Sequence, residues 1–191
     1  MTKHFHRRNL PHLYFNDGIY FVTYRLADSL PINKQIKAAS KKWTFKEFTI
    51  EFKKCDSHLS KNYNNVKYLA EPEIAEICKK TIHYPDKKEY NLICYCIMPN
   101  HIHFVFELLD RNKGISKIMQ SIKRISARKS NLILNRSGKF WQDESYDRWI
   151  RNDKELYYII KYILLNPVAA GLVENWEDWK YTYCNKNYLV L

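Results

Sequence analysis

Two histidines one residue apart, His101-Ile102-His103, follow the turn signal Met98-Pro99-Asn100. Side chains alternate faces along a strand, so His101 and His103 project together while Ile102 turns the other way. Two imidazoles aimed at one point are the beginning of a divalent-metal site, because each neutral ring offers a nitrogen lone pair. The same spacing also fits the polar face of an ordinary strand, and a bare His-x-His does not separate the two. Tyr162 and Asn166 add a second element. Four residues apart on a helix, they are neighbours on one face, where a phenol could act as nucleophile and an amide oxygen as a further ligand. On spacing alone, Tyr162 also reads as a core tyrosine, and Asn166, just before Pro167, as a helix C-terminal residue.

These side chains need a scaffold. Ile19 to Leu26 reads as a first strand by its β-branched and aromatic content, opened by the Asp17-Gly18 turn. Tyr90 to Met98 and His101 to Leu109 follow as two strands joined too tightly for anything but an antiparallel pair. Glu71-Pro72-Glu73 opens a short helix that Pro85-Asp86 closes. Ile115, Ile118, Met119, Ile122, Ile125 and Leu132 define an amphipathic helix whose other face carries Lys117, Ser121, Arg124 and Arg128. Lys139 to Tyr146 is expected as a last strand. A final helix is expected from a cap at Asn152-Asp153 to Asn166-Pro167. Lys34 to Lys61 is polar and helical in character, with boundaries left open. The order predicts an α+β fold, a ferredoxin-like (split βαβ) antiparallel sheet with helices packed on one face, in a single domain over residues 1–191.

The chain has 32 Lys and Arg against 20 Asp and Glu, a net charge of +12. A polyanion is the economical partner for such a charge, and a solvated basic surface is the alternative. Fifteen Tyr, nine Phe and five Trp accompany the cations, a mixture suited to unstacked bases. Lys117, Arg124 and Arg128 lead the candidates for phosphate contacts, with Arg148 and Arg151 behind them and Trp141 as a stacking or core residue. Residues 1–12 read as a basic arm, either disordered or laid on nucleic acid. Five cysteines without a Cys-x-x-Cys pair argue against a disulfide framework or a structural zinc site. No apolar run reaches a membrane span and the start opens no secretory signal, so a cytoplasmic protein is expected.

His101-Ile102-His103 resembles the histidine-hydrophobe-histidine (HUH) signature of single-tyrosine endonucleases. Tyr162-Ile163-Leu164-Leu165-Asn166-Pro167-Val168-Ala169-Ala170-Gly171-Leu172-Val173 looks like the closing motif of their REP-associated tyrosine transposase branch, within the IS200-like transposases. Tyr20 to Arg25, Ile118 to Arg124, Phe140-Trp141-Gln142 and Trp149 to Asn152 resemble that branch too, in order along the chain. The stretch from about residue 34 to 88 matches only in being helical, and Asp147-Arg148 stands where the branch often has an aspartate and a histidine.

The resemblance implies that His101, His103 and Asn166 hold Mg²⁺ or Mn²⁺ and that Tyr162 attacks single-stranded DNA beside a hairpin or palindromic repeat. The product would be a 5′-phosphotyrosine intermediate and a free 3′-hydroxyl, as DNA transposition and recombination require. A mixed nitrogen and oxygen set would bind Mn²⁺ less tightly than Zn²⁺, leaving zinc as a competitor. The branch is expected to work in cis as a monomer, with a homodimer as the alternative. Two other functions fit the residues: a nucleic-acid-binding protein with a vestigial site, and a metal phosphodiesterase that uses water.

Overall fold

A computed structural model of the chain describes residues 3–7, 11–15, 17–30, 50, 53–54, 56–59 and 65–189. Strands β1 (Lys3–Arg7) and β2 (Pro11–Phe15) pair antiparallel as a separate two-stranded ribbon. Of the expected basic arm, Lys3–Arg7 and Pro11-His12 are thus paired strand, and its other residues lie outside the described ones. His4-Phe5-His6 and Leu13-Tyr14-Phe15 carry the aromatic content that favours extended backbone.

The main sheet contains β3 (Gly18–Arg25), β4 (Tyr90–Ile97), β5 (His101–Leu108), β6 (Tyr146–Ile150) and β7 (Thr182–Cys184). Their order is β6-β3-β5-β4-β7 and every neighbouring pair is antiparallel. Helices α1 (Pro72–His83), α2 (Ile115–Ile133) and α3 (Asp153–Ala169) complete the α+β fold.

The helices divide between the two faces of the sheet, where the sequence suggested one. Ile102, Phe104 and Phe106 of β5 join Tyr20, Val22 and Tyr24 of β3 against Ile74 and Ile82 of α1 and Ile118 and Ile122 of α2. Val105 and Phe21 turn the other way, with Cys94 and Cys96, onto Leu156, Ile159, Ile160, Ile163 and Leu164 of α3. Because β3, β4 and β5 are apolar on both faces, both need cover. Each of those five α3 side chains contributes roughly 1.5–3 kcal/mol by leaving water. His101 and His103 alternate with Ile102 and Phe104, so they share the face that α3 covers.

The Asn152 side chain caps α3, its Oδ1 accepting from Glu155 N at 2.9 Å. The helix does not stop at Asn166-Pro167: Pro167 lies inside it and it ends at Ala169. Pro167 forfeits one intrahelical bond, but Ala170 N donates to Asn166 O at 3.0 Å and Leu172 N to Pro167 O at 3.0 Å, which closes the last turn.

The strand expected over Lys139 to Tyr146 is absent as drawn. Only Trp141 bridges to Leu26, and the ladder begins at Tyr146. Phe140 and Trp141 are successive and both buried in the same core cluster, which the alternation of a strand does not allow. β7, pairing Cys94 with Cys184, had only three residues to announce it.

Of the helical stretch expected over Lys34 to Lys61, most lies outside the described residues, and residues 56–59 are helical. No helix among the described residues is long and apolar enough to cross a membrane.

Candidate active site

The register of β5 against β3 places Thr23 opposite His103 and Arg25 opposite His101. Both histidines are buried, at 1% and 0% exposure, and their Nε2 atoms stand 3.0 Å apart. Their other ring nitrogens are each held. Thr23 Oγ1 lies 2.8 Å from His103 Nδ1, and Asn100 Oδ1 lies 2.7 Å from His101 Nδ1.

The Asn100 amide orientation is fixed from the far side, since its Nδ2 donates to Leu59 O at 2.9 Å. Its oxygen can only accept, so His101 Nδ1 carries the hydrogen and His101 Nε2 presents a lone pair toward His103. This arrangement of outer partners is the one that fixes the tautomer of a metal-binding imidazole. Burial and the neighbouring His103 push the His101 pKa down to about 3 against the opposing influence of Asp56, so His101 is neutral and available as a ligand.

The third member of the cluster is Asp56, buried in the segment before α1. Its Oδ2 lies 3.2 Å from His103 Nε2 and its Oδ1 lies 3.9 Å from His101 Nε2. Burial alone would raise the Asp56 pKa, but His103, His101 and the Asn166 amide outweigh it and hold the carboxyl below its ordinary value. One donor atom from each of Asp56, His101 and His103 falls within 4.8 Å of the others, a compact oxygen and nitrogen set that fits a divalent ion.

α3 brings Tyr162 and Asn166 to the histidines. The Tyr162 ring lies 5.6 Å from the His103 ring at an interplanar angle of 65°, and Phe21 packs against His103 at 5.9 Å. Asn166, expected to offer an oxygen to the metal, directs its Nδ2 to Asp56 Oδ2 at 2.8 Å. Tyr158, one turn earlier, is 47% exposed.

The expected nucleic-acid residues do not gather at this site. Lys117, Arg124 and Arg128 are exposed on α2, across the sheet from the histidines. Lys117 and Arg124 line a cavity of about 560 Å³ with Gln120, Lys123, Gln142 and Trp141. Lys123 ties the rim of that cavity, its Nζ donating to Gln142 O at 2.6 Å and Asp143 O at 2.9 Å.

Trp141 is a core residue, with 4% exposure, its Nε1 donating to Ser126 Oγ at 2.9 Å and its ring edge-on to Tyr24 and Phe140. Arg148 is also buried, paired with Glu155 at the start of α3, so a role on a phosphate-binding surface does not follow. Glu155 Oε2 in turn accepts from Arg151 N at 3.3 Å, while the Arg151 residue is exposed.

Sequence reasoning passed over Thr23, Asn100 and Asp56. Thr23 lies in a strand pattern that gives it no chemistry, and Asn100 carries only a turn signal. Asp56 sits 45 positions from His101 with no motif around it.

The family model described as Transposase IS200 like matches residues 52–165, more than half of the chain. A putative REP-associated tyrosine transposase of Haemophilus influenzae is 29% identical over 109 residues, covering 52% of this chain and 60% of that one. A REP-associated tyrosine transposase of Escherichia coli K12 is 24% identical over 95 residues, covering 50% of this chain and 54% of that one. The matched region thus spans between half and two thirds of each curated relative.

The fold is also that of a REP-associated tyrosine transposase solved bound to a REP hairpin, with a TM-score of 0.60 and 17% identity, over 93% of this chain and 80% of that one. The match carried by His101-Ile102-His103 and by the Tyr162 helix therefore has its explanation in descent: the chain belongs to the IS200-like transposase family.

Proposed function

We propose that this protein is a strand transferase for single-stranded DNA, cutting beside a hairpin by attack of Tyr162. The observation that carries the reading is the Tyr162 ring packed against His103, on the face of the sheet where the two Nε2 atoms converge. Tyr158, the nearest rival on the same helix, is turned to solvent.

Tyr162 Oη would form a bond to the phosphodiester phosphorus as the bond to the 3′ oxygen breaks. The phenol proton leaves to solvent or a base, and the departing oxygen takes one up as a 3′-hydroxyl. The 5′-phosphotyrosine keeps the bond energy, so rejoining to another 3′-hydroxyl needs no nucleotide cofactor. His101 and His103 would hold Mg²⁺ or Mn²⁺. When bound, the ion supplies charge to polarise the phosphate and lower the barrier to in-line attack.

Thr23 and Asn100 keep the two imidazoles aimed inward, and α3 keeps Tyr162 beside them. All these groups come from one chain, which supports a site completed in cis. Lys117, Arg124 and Arg128 would neutralise backbone phosphates on the other face of the sheet. The hairpin bound by the solved relative supports the same kind of DNA here.

The test is to incubate the protein with Mn²⁺ and a hairpin oligonucleotide bearing a single-stranded flank. A denaturant-stable adduct mapped to Tyr162, and lost in Tyr162→Phe, is expected. Cleavage without an adduct would favour attack by water. Binding without cleavage on any hairpin would favour a vestigial site.

A further inference from the structure

Asp56 is a buried carboxylate whose surroundings ask for a cation. Its Oδ2 accepts from Asn166 Nδ2 at 2.8 Å, and its Oδ1 is buried without a hydrogen-bond partner. Withdrawing a carboxylate from water is unfavourable unless charge and hydrogen bonds compensate. The compensation at hand is the Asn166 amide and the His103 imidazole, whose Nε2 lies 3.2 Å from Oδ2.

Facing it, His101 Nε2 presents a lone pair 3.0 Å from His103 Nε2, while Asp56 Oδ2 stands 3.2 Å from the same His103 nitrogen. Neighbouring ligands of an octahedral ion bound at roughly 2.1 Å stand about 3 Å apart. Two of the donor separations already meet that spacing. His101 Nε2 is approached by the other carboxylate oxygen, Oδ1, at 3.9 Å, so closing the triangle on one oxygen requires the carboxylate to turn.

The segment that delivers Asp56 is anchored at the site itself. Asn100 Nδ2 donates to Leu59 O, three residues beyond Asp56, while Asn100 Oδ1 orients His101. Leu59 is buried against Leu30. One asparagine thus fixes a histidine and the backbone carrying the acid.

We propose that Asp56 is the acidic ligand of the divalent-cation site, and that Asn166 is a positioning residue that holds the Asp56 carboxylate rather than binding the ion. The inference rests on the reading that His101 and His103 bind metal. Its consequence is a two-histidine, one-carboxylate set, in which the hard anionic oxygen lowers the net charge of the loaded site by one and strengthens its hold on Mn²⁺ or Mg²⁺. Tyr162 and the helix that carries it are then tied through Asn166 to a segment 110 residues earlier.

The experiment is a Mn²⁺ titration of the DNA-free protein followed by electron paramagnetic resonance, in which bound Mn²⁺ leaves the free-ion signal. Wild type, Asp56→Asn, Asn166→Ala and the double variant His101→Ala/His103→Ala are compared, each with its thermal midpoint measured with and without Mn²⁺. Wild type should bind one ion and the double variant none. Asn166→Ala should lose about 10–100-fold in affinity, as removal of an outer partner does. The isosteric Asp56→Asn should lose more than Asn166→Ala and lose most of the Mn²⁺-induced rise in thermal midpoint.

Wild-type affinity in Asp56→Asn would overturn the assignment and leave the histidine reading standing. Tighter binding in Asp56→Asn would overturn it in favour of a carboxylate that blocks the site. Absence of Mn²⁺ binding in wild type would overturn the histidine reading, and this assignment with it. Should Asp56→Asn fail to fold, an Asn166→Ala protein with unaltered affinity overturns the proposal by itself.

Discussion

Thr23 and His103 face each other across β3 and β5, and the Thr23 hydroxyl stands 2.8 Å from His103 Nδ1. The contact follows from strand register: the pairing that buries Phe21 and Val105 on the α3 face also sets a threonine beside the second histidine. A one-residue slip would send Thr23 to the other face. Thr23→Val keeps the shape and β-branching while removing the oxygen. The variant should stay folded and lose about 10–100-fold in Mn²⁺ affinity. Unchanged affinity in the titration would show that the hydroxyl does not orient the ring.

How far the sequence reached can be judged from these same residues. Period-two alternation put His101 and His103 on one face, and the tyrosine and asparagine four apart put Tyr162 and Asn166 on another, because both patterns are local. Whether the two faces meet depends on which side of the sheet α3 covers. Alternation could not decide that in β5, where Ile102, Val105 and Phe106 are apolar on both sides. Asp56 was illegible for a different reason. A single acid delivered from a distant segment leaves no periodicity, and only the folded chain brings it to His103. The strand expected over Lys139 to Tyr146 begins only at its end because Phe140 and Trp141 both pack into one core cluster, which strand alternation does not allow.

The basic residues should separate into two classes. Lys117→Ala, Arg124→Ala and Arg128→Ala should each weaken binding to all single strands alike and reduce the salt slope by roughly 0.7 per lost contact. Arg148→Ala should act on the fold, because it leaves Glu155 buried without its cation. Breaking a buried pair costs about 3–5 kcal/mol. Denaturant melts and salt titrations of the four variants check this, and an Arg148→Ala protein of normal stability that binds DNA weakly would reverse the assignment.

Lys123 gives a pH signature to the cavity rim. Burial depresses its pKa to about 8 from an ordinary value of 10.5, in spite of the opposing influence of Asp143 and Glu144. Between those values the unfolded chain binds more protons than the folded one, so this group adds stability as pH rises from 8 toward 10.5 and none of that gain is present below 8. Melts of wild type and Lys123→Met across this window should differ in slope, with the variant flatter. Coincident slopes would place the Lys123 titration near its ordinary value.

Trp141 separates packing from base stacking. Its indole lies between Tyr24 and Phe140 at ring-centroid distances of 4.8 and 4.9 Å, and its N–H is already used on Ser126. Removing a buried tryptophan costs about 3–5 kcal/mol through lost burial and the cavity left behind. Trp141→Ala should therefore lower the unfolding free energy by that amount, read from its denaturation midpoint and slope. Trp141→Phe, which retains most of the packing but leaves Ser126 Oγ without its donor, should recover more than half of the loss and bind single-stranded DNA as wild type does. A stacking role would produce the reverse pattern: near-normal stability in both variants, and in Trp141→Ala a binding deficit on the order of 1–3 kcal/mol that Trp141→Phe restores.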